Sequence, residues 1–160
     1  MKDMSSQEVF ISVMGAFIAT LCATFFSQSI LSADNLPMIL ASTGASAMLI
    51  FGVPHAKVSQ PWNLVGGHVI SALVGVTCAK VIPNEVLASS LSIPVAMYFM
   101  YVFRCMHPPG GATAVTAVIG GANIQALGYA FIIIPVFFNA IILLSIAMAT
   151  ATFREKNPFL

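Results

Sequence analysis

His107-Pro108-Pro109-Gly110-Gly111-Ala112-Thr113-Ala114 breaks an otherwise almost continuous apolar sequence. Tandem prolines end a helix, because they lack amide donors and clash with the preceding turn. The glycines then admit backbone angles that other residues avoid. Inside a bilayer, broken backbone is tolerated only where protein buries it or a watery cavity receives it. The stretch therefore marks the end of one membrane helix, the start of another, and a candidate site.

Outward from that break, composition sets the class. The chain is 59% hydrophobic and 7% charged over 160 residues, whereas a soluble domain carries about a quarter charged residues. This predicts an all-α, polytopic transmembrane bundle embedded in a lipid bilayer. A net charge of +1 without any basic cluster argues against a nucleic-acid partner. Cys22, Cys78 and Cys105 fall in separate apolar segments without CxxC or zinc spacing, and read as small buried hydrophobes. The histidines show no HxxxH spacing, so neither metal nor cofactor is expected. Acidic residues are absent from the apolar segments and no nucleophile–base pair is visible, which argues against an enzyme.

The apolar segments run over residues 9–31, 36–53, 64–82, 86–105, 111–121 and 127–150. The first reads as a retained helix rather than a cleaved signal. Segment 36–53 is short, and 111–121 amounts to about 16 Å of helix, roughly half the hydrocarbon thickness. Trp62, in the polar loop 54–63, reads as an interfacial anchor. Pro94 suits a first-turn position or a mild kink. Six crossings from a cytoplasmic N-terminus put Lys2, Lys57, Arg104, Arg154 and Lys156 inside and only Lys80 outside. Alternatives in which both short segments re-enter, leaving four crossings, or only the second does, place the basic residues less well. Both termini are thus expected in the cytoplasm, with a bacterial-type inner (plasma) membrane as the location.

The chain also echoes itself. Gly44-Ala45-Ser46-Ala47 and Gly111-Ala112-Thr113-Ala114 each sit in a short segment between two long ones. Two units, residues 1–83 and 84–160, are expected within a single transmembrane domain. Three segments apiece make them inverted relative to each other, as in many transporters.

The HPPGGATA stretch resembles the signature of the HPP family of small integral membrane proteins. Gly44-Ala45-Ser46, Phe51-Gly52-Val53-Pro54, Gln60-Pro61-Trp62-Asn63 and Gly66-Gly67-His68 extend the resemblance over roughly residues 9 to 150. It implies four or more transmembrane helices. Some cyanobacterial and chloroplast members are associated with nitrite transport, which makes a small inorganic anion, nitrite first, the expected cargo.

An anion inside a membrane must exchange its water for donors and positive potential. Helix N-termini supply both. Short helices opening at Thr43-Gly44-Ala45-Ser46 and Gly110-Gly111-Ala112-Thr113 are expected to converge, with Ser46 and Thr113 adding hydroxyls. Arg104, three residues before His107, would share its side of a helical turn and grip an oxyanion, or else snorkel to the interface. His107 would carry a proton, donate to the anion or cap the broken backbone; His68 would face it across a pathway or bond a loop carbonyl. His55 reads as solvated. Asn139 is expected to bond a neighbouring helix, and Ser71 and Thr77 to bond carbonyls of their own helix. No nucleotide-binding motif is present, so movement would be passive or driven by an ion gradient. Self-association is expected from the small-residue faces. The alternatives are a non-transporting membrane assembly subunit, or a transporter of a different small solute.

Overall fold

The computed structural model describes residues 5–31, 36–154 and 157–159. The expected polar turn at residues 32–35 and the charged residues Lys2, Glu155 and Lys156 lie outside them. Among the described residues all regular structure is helical: α1 (Ser6–Ile30), α2 (Leu36–Gly52), α3 (Pro61–Val81), α4 (Glu85–Val102), α5 (Gly110–Ile119), α6 (Ala122–Leu127) and α7 (Phe138–Ala151). A 3-10 turn at Lys57–Ser59 precedes α3, and a wider π turn at Ile132–Phe137 feeds into α7. Four stretches are long and apolar enough to cross a membrane, namely Ser6–Ile30, Pro61–Val81, Glu85–Val102 and Ile132–Ala151. α2 and α5 are the two short segments expected.

Local chemistry sets the helix ends. Ser5 Oγ accepts from the Glu8 amide while the Glu8 carboxylate accepts from the Ser5 amide, a reciprocal cap on α1. Pro61 opens α3, where no amide donor is required. Asn84 caps α4 through the Leu87 amide. Two expectations shift. Pro94 lies well inside α4 rather than in its first turn. Residues 122–127 form α6 instead of a turn, and Gly128, at φ 51°, ends it. The last crossing therefore starts at Ile132, not near residue 127.

Cross-chain bonds fix the helix directions. Arg154 at the end of α7 donates to Ser12 Oγ, near the start of α1, and to Phe51 O, at the end of α2. Gln60, just before α3, donates to Pro158 O, and Trp62 donates to Phe103 O beyond the end of α4. These ends share one face, which also carries Lys57 and Arg104. On the other face Lys80 lies against Gly128 and Tyr129, and Leu31 packs with Ile124 and Phe131. Successive passes therefore alternate. α2 runs from the Lys80 face, at Ile39, to the Arg154 face, at Phe51, whereas α5, with 10 residues, covers about 15 Å; residues 103–109 make up the rest of its path.

Small residues face inward and large apolar ones outward, the reverse of a soluble helix. α1 buries Ser12, Gly15, Ala19, Ala23 and Ser27, one per turn, while Phe10, Phe17 and Phe25 are exposed. α4 buries Ala88, Ser92, Ala96 and Met100 in the same rhythm and exposes Tyr98 and Tyr101. In lipid, close backbone approach and dispersion hold helices together, and small residues permit both.

The helices form two packed groups. α3, α4 and α5 pack on one another, and α1 packs on α2 and α7, which also touch. Leu143, Ile50 and Phe51 centre the α1–α2–α7 group; Met100, Cys105 and Val118 centre the other. Near the Lys80 face an apolar cluster around Ile39, Val76 and Phe131 joins them. Deeper in, the seam between the groups is polar.

Candidate functional site

The HPP stretch folds back along the first turns of α3. Asn63 Nδ2 donates to Met106 O at 2.9 Å, next to the Trp62–Phe103 bond. A methyl group at Gly66 would stand 3.0 Å from Cys105 Cβ, one at Gly67 2.5 Å from His107 Cβ, and one at Gly110 2.5 Å from Ser71 Oγ. Pro61-Trp62-Asn63-Leu64-Val65-Gly66-Gly67-His68 and the HPPGG break are thus two sides of one close seam. The glycines are the residues that let a non-helical strand lie against a helix.

That seam delivers His107 to the centre of the bundle. Ser46 Oγ, from α2, is 2.9 Å from His107 Nε2 and 2.7 Å from His68 Nε2. His68 Nδ1 lies 2.8 Å from Thr113 Oγ1 of α5, and His107 Nδ1 lies 2.8 Å from Val58 O. The imidazole centroids are 5.0 Å apart. Ser46 and His107 are 0% exposed, Thr113 2% and His68 5%.

Donor and acceptor roles follow from one end. A carbonyl only accepts, so His107 Nδ1 carries a proton and donates to Val58 O. Neutral His107 then accepts at Nε2 from the Ser46 hydroxyl. Ser46 Oγ accepts from His68 Nε2–H, and His68 Nδ1 accepts from the Thr113 hydroxyl. The result is a single directed chain, Thr113 to His68 to Ser46 to His107 to Val58 O, with every ring nitrogen bonded.

The remaining expected site residues distribute differently. Thr43 lies one turn from Ser46 and donates to Ile39 O at 2.9 Å. α2 runs unbroken from Leu36, so the amides at Thr43, Gly44 and Ser46 are interior to a helix and not at its N-terminus. At α5 the amides of Gly110, Gly111 and Ala112 turn back onto His107 O, Pro108 O and Pro109 O at 2.9, 3.0 and 3.1 Å. The expected amide cradle for an anion is therefore internally closed. A methyl group at Gly44 or Gly111 would meet nothing within 4 Å. Arg104 is exposed at φ 54°, two residues past the end of α4, so no helical turn sets it beside His107. His55 is exposed.

Several partners carry little or no sequence signal. Val58 contributes a backbone carbonyl, which any residue offers. Asn139 Nδ2 donates to Ser27 Oγ at 2.8 Å, the interhelical bond expected of it, but its place beside His68 depends on how α7 enters the bundle. Thr77 bonds Leu73 O as expected, while buried Ser71 Oγ has no protein partner. Among the described residues no group of three His, Cys, Asp or Glu side chains converges.

The HPP transmembrane-region profile matches residues 1–159. A Dictyostelium discoideum protein described as a transmembrane protein is 34% identical over 129 residues, covering 78% of this chain and 45% of the relative. A second from the same organism, similarly described, is 32% identical over 157 residues, covering 96% of this chain and 50% of the relative. The chain thus spans about half the length of these relatives. No solved structure gives a significant match. With the signature residues gathered into one buried seam and the profile matched from end to end, the chain belongs to the HPP family of integral membrane proteins.

Proposed function

We propose that the chain moves a small inorganic anion, nitrite the leading candidate, across a membrane together with a proton. The observation that supports this reading is the directed Thr113–His68–Ser46–His107 chain at the seam between the two helix groups. An anion entering a bilayer needs compensating positive charge. The two sources anticipated from sequence are not positioned for it: Arg104 is exposed on the Lys57 face and the α5 amides are occupied. A proton on the histidine pair supplies the charge instead.

The centre has room in its bonding for that proton. An added proton makes both nitrogens of one imidazole donors. Ser46 Oγ then accepts from both Nε2 atoms and turns its own hydrogen to Ser42 O, which is 3.0 Å away. No ring nitrogen or hydroxyl of the chain is left unpaired in either state. Beyond these two imidazoles, the nearby ionisable side chain on the HPP segment is the Cys105 thiol. A proton and a monoanion moving together carry no net charge, so a pH difference, not the membrane potential, drives the flux.

Passage requires the seam to open. Exchanging α1 with α4, α2 with α5 and α3 with α7 maps the packing pairs α1–α2, α1–α7 and α2–α7 onto α4–α5, α4–α3 and α5–α3. This supports two inverted units whose relative rocking would expose the centre to either face. The basic Lys57 face would be cytoplasmic. The same small-residue faces favour self-association, and no enzymatic activity is proposed.

The test is nitrite uptake by purified protein in liposomes under imposed pH gradients. Uptake should rise with a proton gradient in the same direction and fall to the protein-free level in His107→Ala. Uptake that follows potential and ignores pH would discard the proton-linked reading. Absence of any small-anion flux would instead favour the assembly-subunit alternative.

A further inference from the structure

Beside the histidine chain lies a cavity lined by Ile39, Ser42, Thr43, His68, Thr113 and Asn139, closed off by α7 residues. It leaves about 10 Å³ for the centre of a water-sized sphere, close to the minimum that admits one water molecule. Its polar lining is rich in acceptors. Ser42 and Thr43 both commit their hydrogens to Ile39 O, at 3.0 and 2.9 Å. Thr113 commits its hydrogen to His68 Nδ1 in the directed chain. Asn139 is 5% exposed, spends one Nδ2 hydrogen on Ser27 Oγ, and leaves Oδ1 buried without a protein partner. All three lining hydroxyls have thus spent their hydrogens, and one buried carbonyl oxygen is left to be filled. Such a wall holds a small hydrogen donor.

We infer that this cavity binds one water molecule, which donates to Asn139 Oδ1 and to Thr113 Oγ1 and serves as the proton entry to the histidine chain. The two donations match the two hydrogens of water, and together they remove the one unpaired oxygen in the lining. The cavity lies between the helix groups, contributed by α2 and α7 on one side and by α3 and α5 on the other. Ser27, which holds Asn139, lies in the last turn of α1 towards the Lys80 face. Protons from that side would reach the water before the imidazoles. Each transfer conserves atoms: the water takes a proton from the Lys80 side and passes a hydrogen to Thr113 as Thr113 passes its own to His68 Nδ1. His68 releases Nε2–H to Ser46, Ser46 releases its hydrogen to His107 Nε2, and His107 Nδ1–H leaves to solvent water at the Val58 loop on the Lys57 face. The bonds from Thr113 to His107 are then reversed, while His107 Nδ1 and Val58 O, both acceptors, face each other without a hydrogen; the chain must turn back before the next proton.

The inference rests on the proton-taking role given above to the histidine chain, but it is tested without any anion substrate. Liposomes holding the full chain and a pH-sensitive dye, free of nitrite, are given an inward proton gradient with potassium and valinomycin to clamp the potential. Wild-type protein should acidify them faster than protein-free liposomes. Asn139→Leu, which fills the cavity, should return the rate to the protein-free level, and Thr113→Val, which keeps the shape and removes the hydroxyl between water and His68, should do the same. X-ray radiolysis, which oxidises side chains touching bound water, should mark Ile39 in the wild type and spare it in Asn139→Leu. A proton rate unaltered in Asn139→Leu, no proton flux in the wild type, Ile39 unmarked in the wild type, or a flux that requires sodium would each overturn it. Proton flux without nitrite uptake would sink the cargo reading and leave this one standing.

Discussion

Gly67 lacks a side chain where His107 lies: a methyl group at residue 67 would stand 2.5 Å from His107 Cβ and 3.1 Å from Cys105 O. The second contact is with backbone and cannot be relieved by a rotamer change. Gly67→Ala must therefore push the HPP segment off α3. Overpacking of this kind costs about 1–3 kcal/mol. It should also stretch the 2.9 Å Ser46–His107 bond. Gly44→Ala, which would meet nothing within 4 Å, should instead gain up to about 1 kcal/mol of helix propensity. Thermal unfolding in detergent compares the two, and a Gly67→Ala protein as stable as wild type removes the close-seam account.

The directed chain assigns opposite tautomers to its two histidines. With both rings neutral, His107 carries its hydrogen on Nδ1 and His68 carries it on Nε2. Nitrogen-15 spectra of histidine-labelled protein in bilayers at alkaline pH should show one ring of each kind. Two identical tautomers would break the chain at Ser46. Ser46→Ala deletes the only group bonding both Nε2 atoms and leaves buried nitrogens unpaired, at about 1–3 kcal/mol each. Ser46→Thr keeps the hydroxyl and should retain most of that stability.

Much of this architecture is legible in the residues because the bilayer allows few solutions. Apolar runs give the crossings, and the HPPGG stretch does fall between α4 and α5, with Pro109 and Gly110 at the start of α5, although α4 stops earlier, at Val102. Ser46, His68, His107 and Thr113 stand out as polar groups in apolar surroundings, and they do meet. What sequence spacing cannot convey is orientation. Arg104 lies three residues before His107, yet α4 stops at Val102, and the intervening left-handed turn leaves the guanidinium exposed. Gly110 and Gly111 suggest open amides, but the tight turn returns those amides to the carbonyls of residues 107–109. The Val58 carbonyl has no side-chain signature, and the relation of Asn139 to His68 emerges only once α7 is packed.

Arg104 and Arg154 should behave as opposites. Arg104→Ala removes an exposed charge away from the histidine chain. It should leave the maximal nitrite flux intact and at most weaken capture at low concentration and low salt. Arg154 is partly buried and ties α7 to α1 and α2 through Ser12 Oγ and Phe51 O at 2.9 and 3.2 Å. It also places positive charge at the carbonyl end of α2. Arg154→Ala should lower unfolding stability by about 1.5–3 kcal/mol, as hydrogen bonds to a charged group are worth. A loss of flux in Arg104→Ala at saturating nitrite would return that residue to the site.

The alternating passes make a topological prediction that does not depend on cargo. Residues 57 and 104 share a face with the end of α7, while residue 85 opens α4 on the opposite face. Cysteines placed at these positions should react with a membrane-impermeant maleimide from opposite sides. Of the native cysteines, Cys78 and Cys105 are buried and Cys22 lies on the exposed, lipid-facing side of α1, so the background should be low. In intact cells Glu85→Cys should label, while Lys57→Cys and Arg104→Cys should label only after the membrane is opened, because basic loops are retained in the cytoplasm. Labelling of 57 and 104 from opposite sides would mean that α3 and α4 do not both cross. That outcome would separate the Trp62–Phe103 pair and dismantle the seam on which the histidine chain is built.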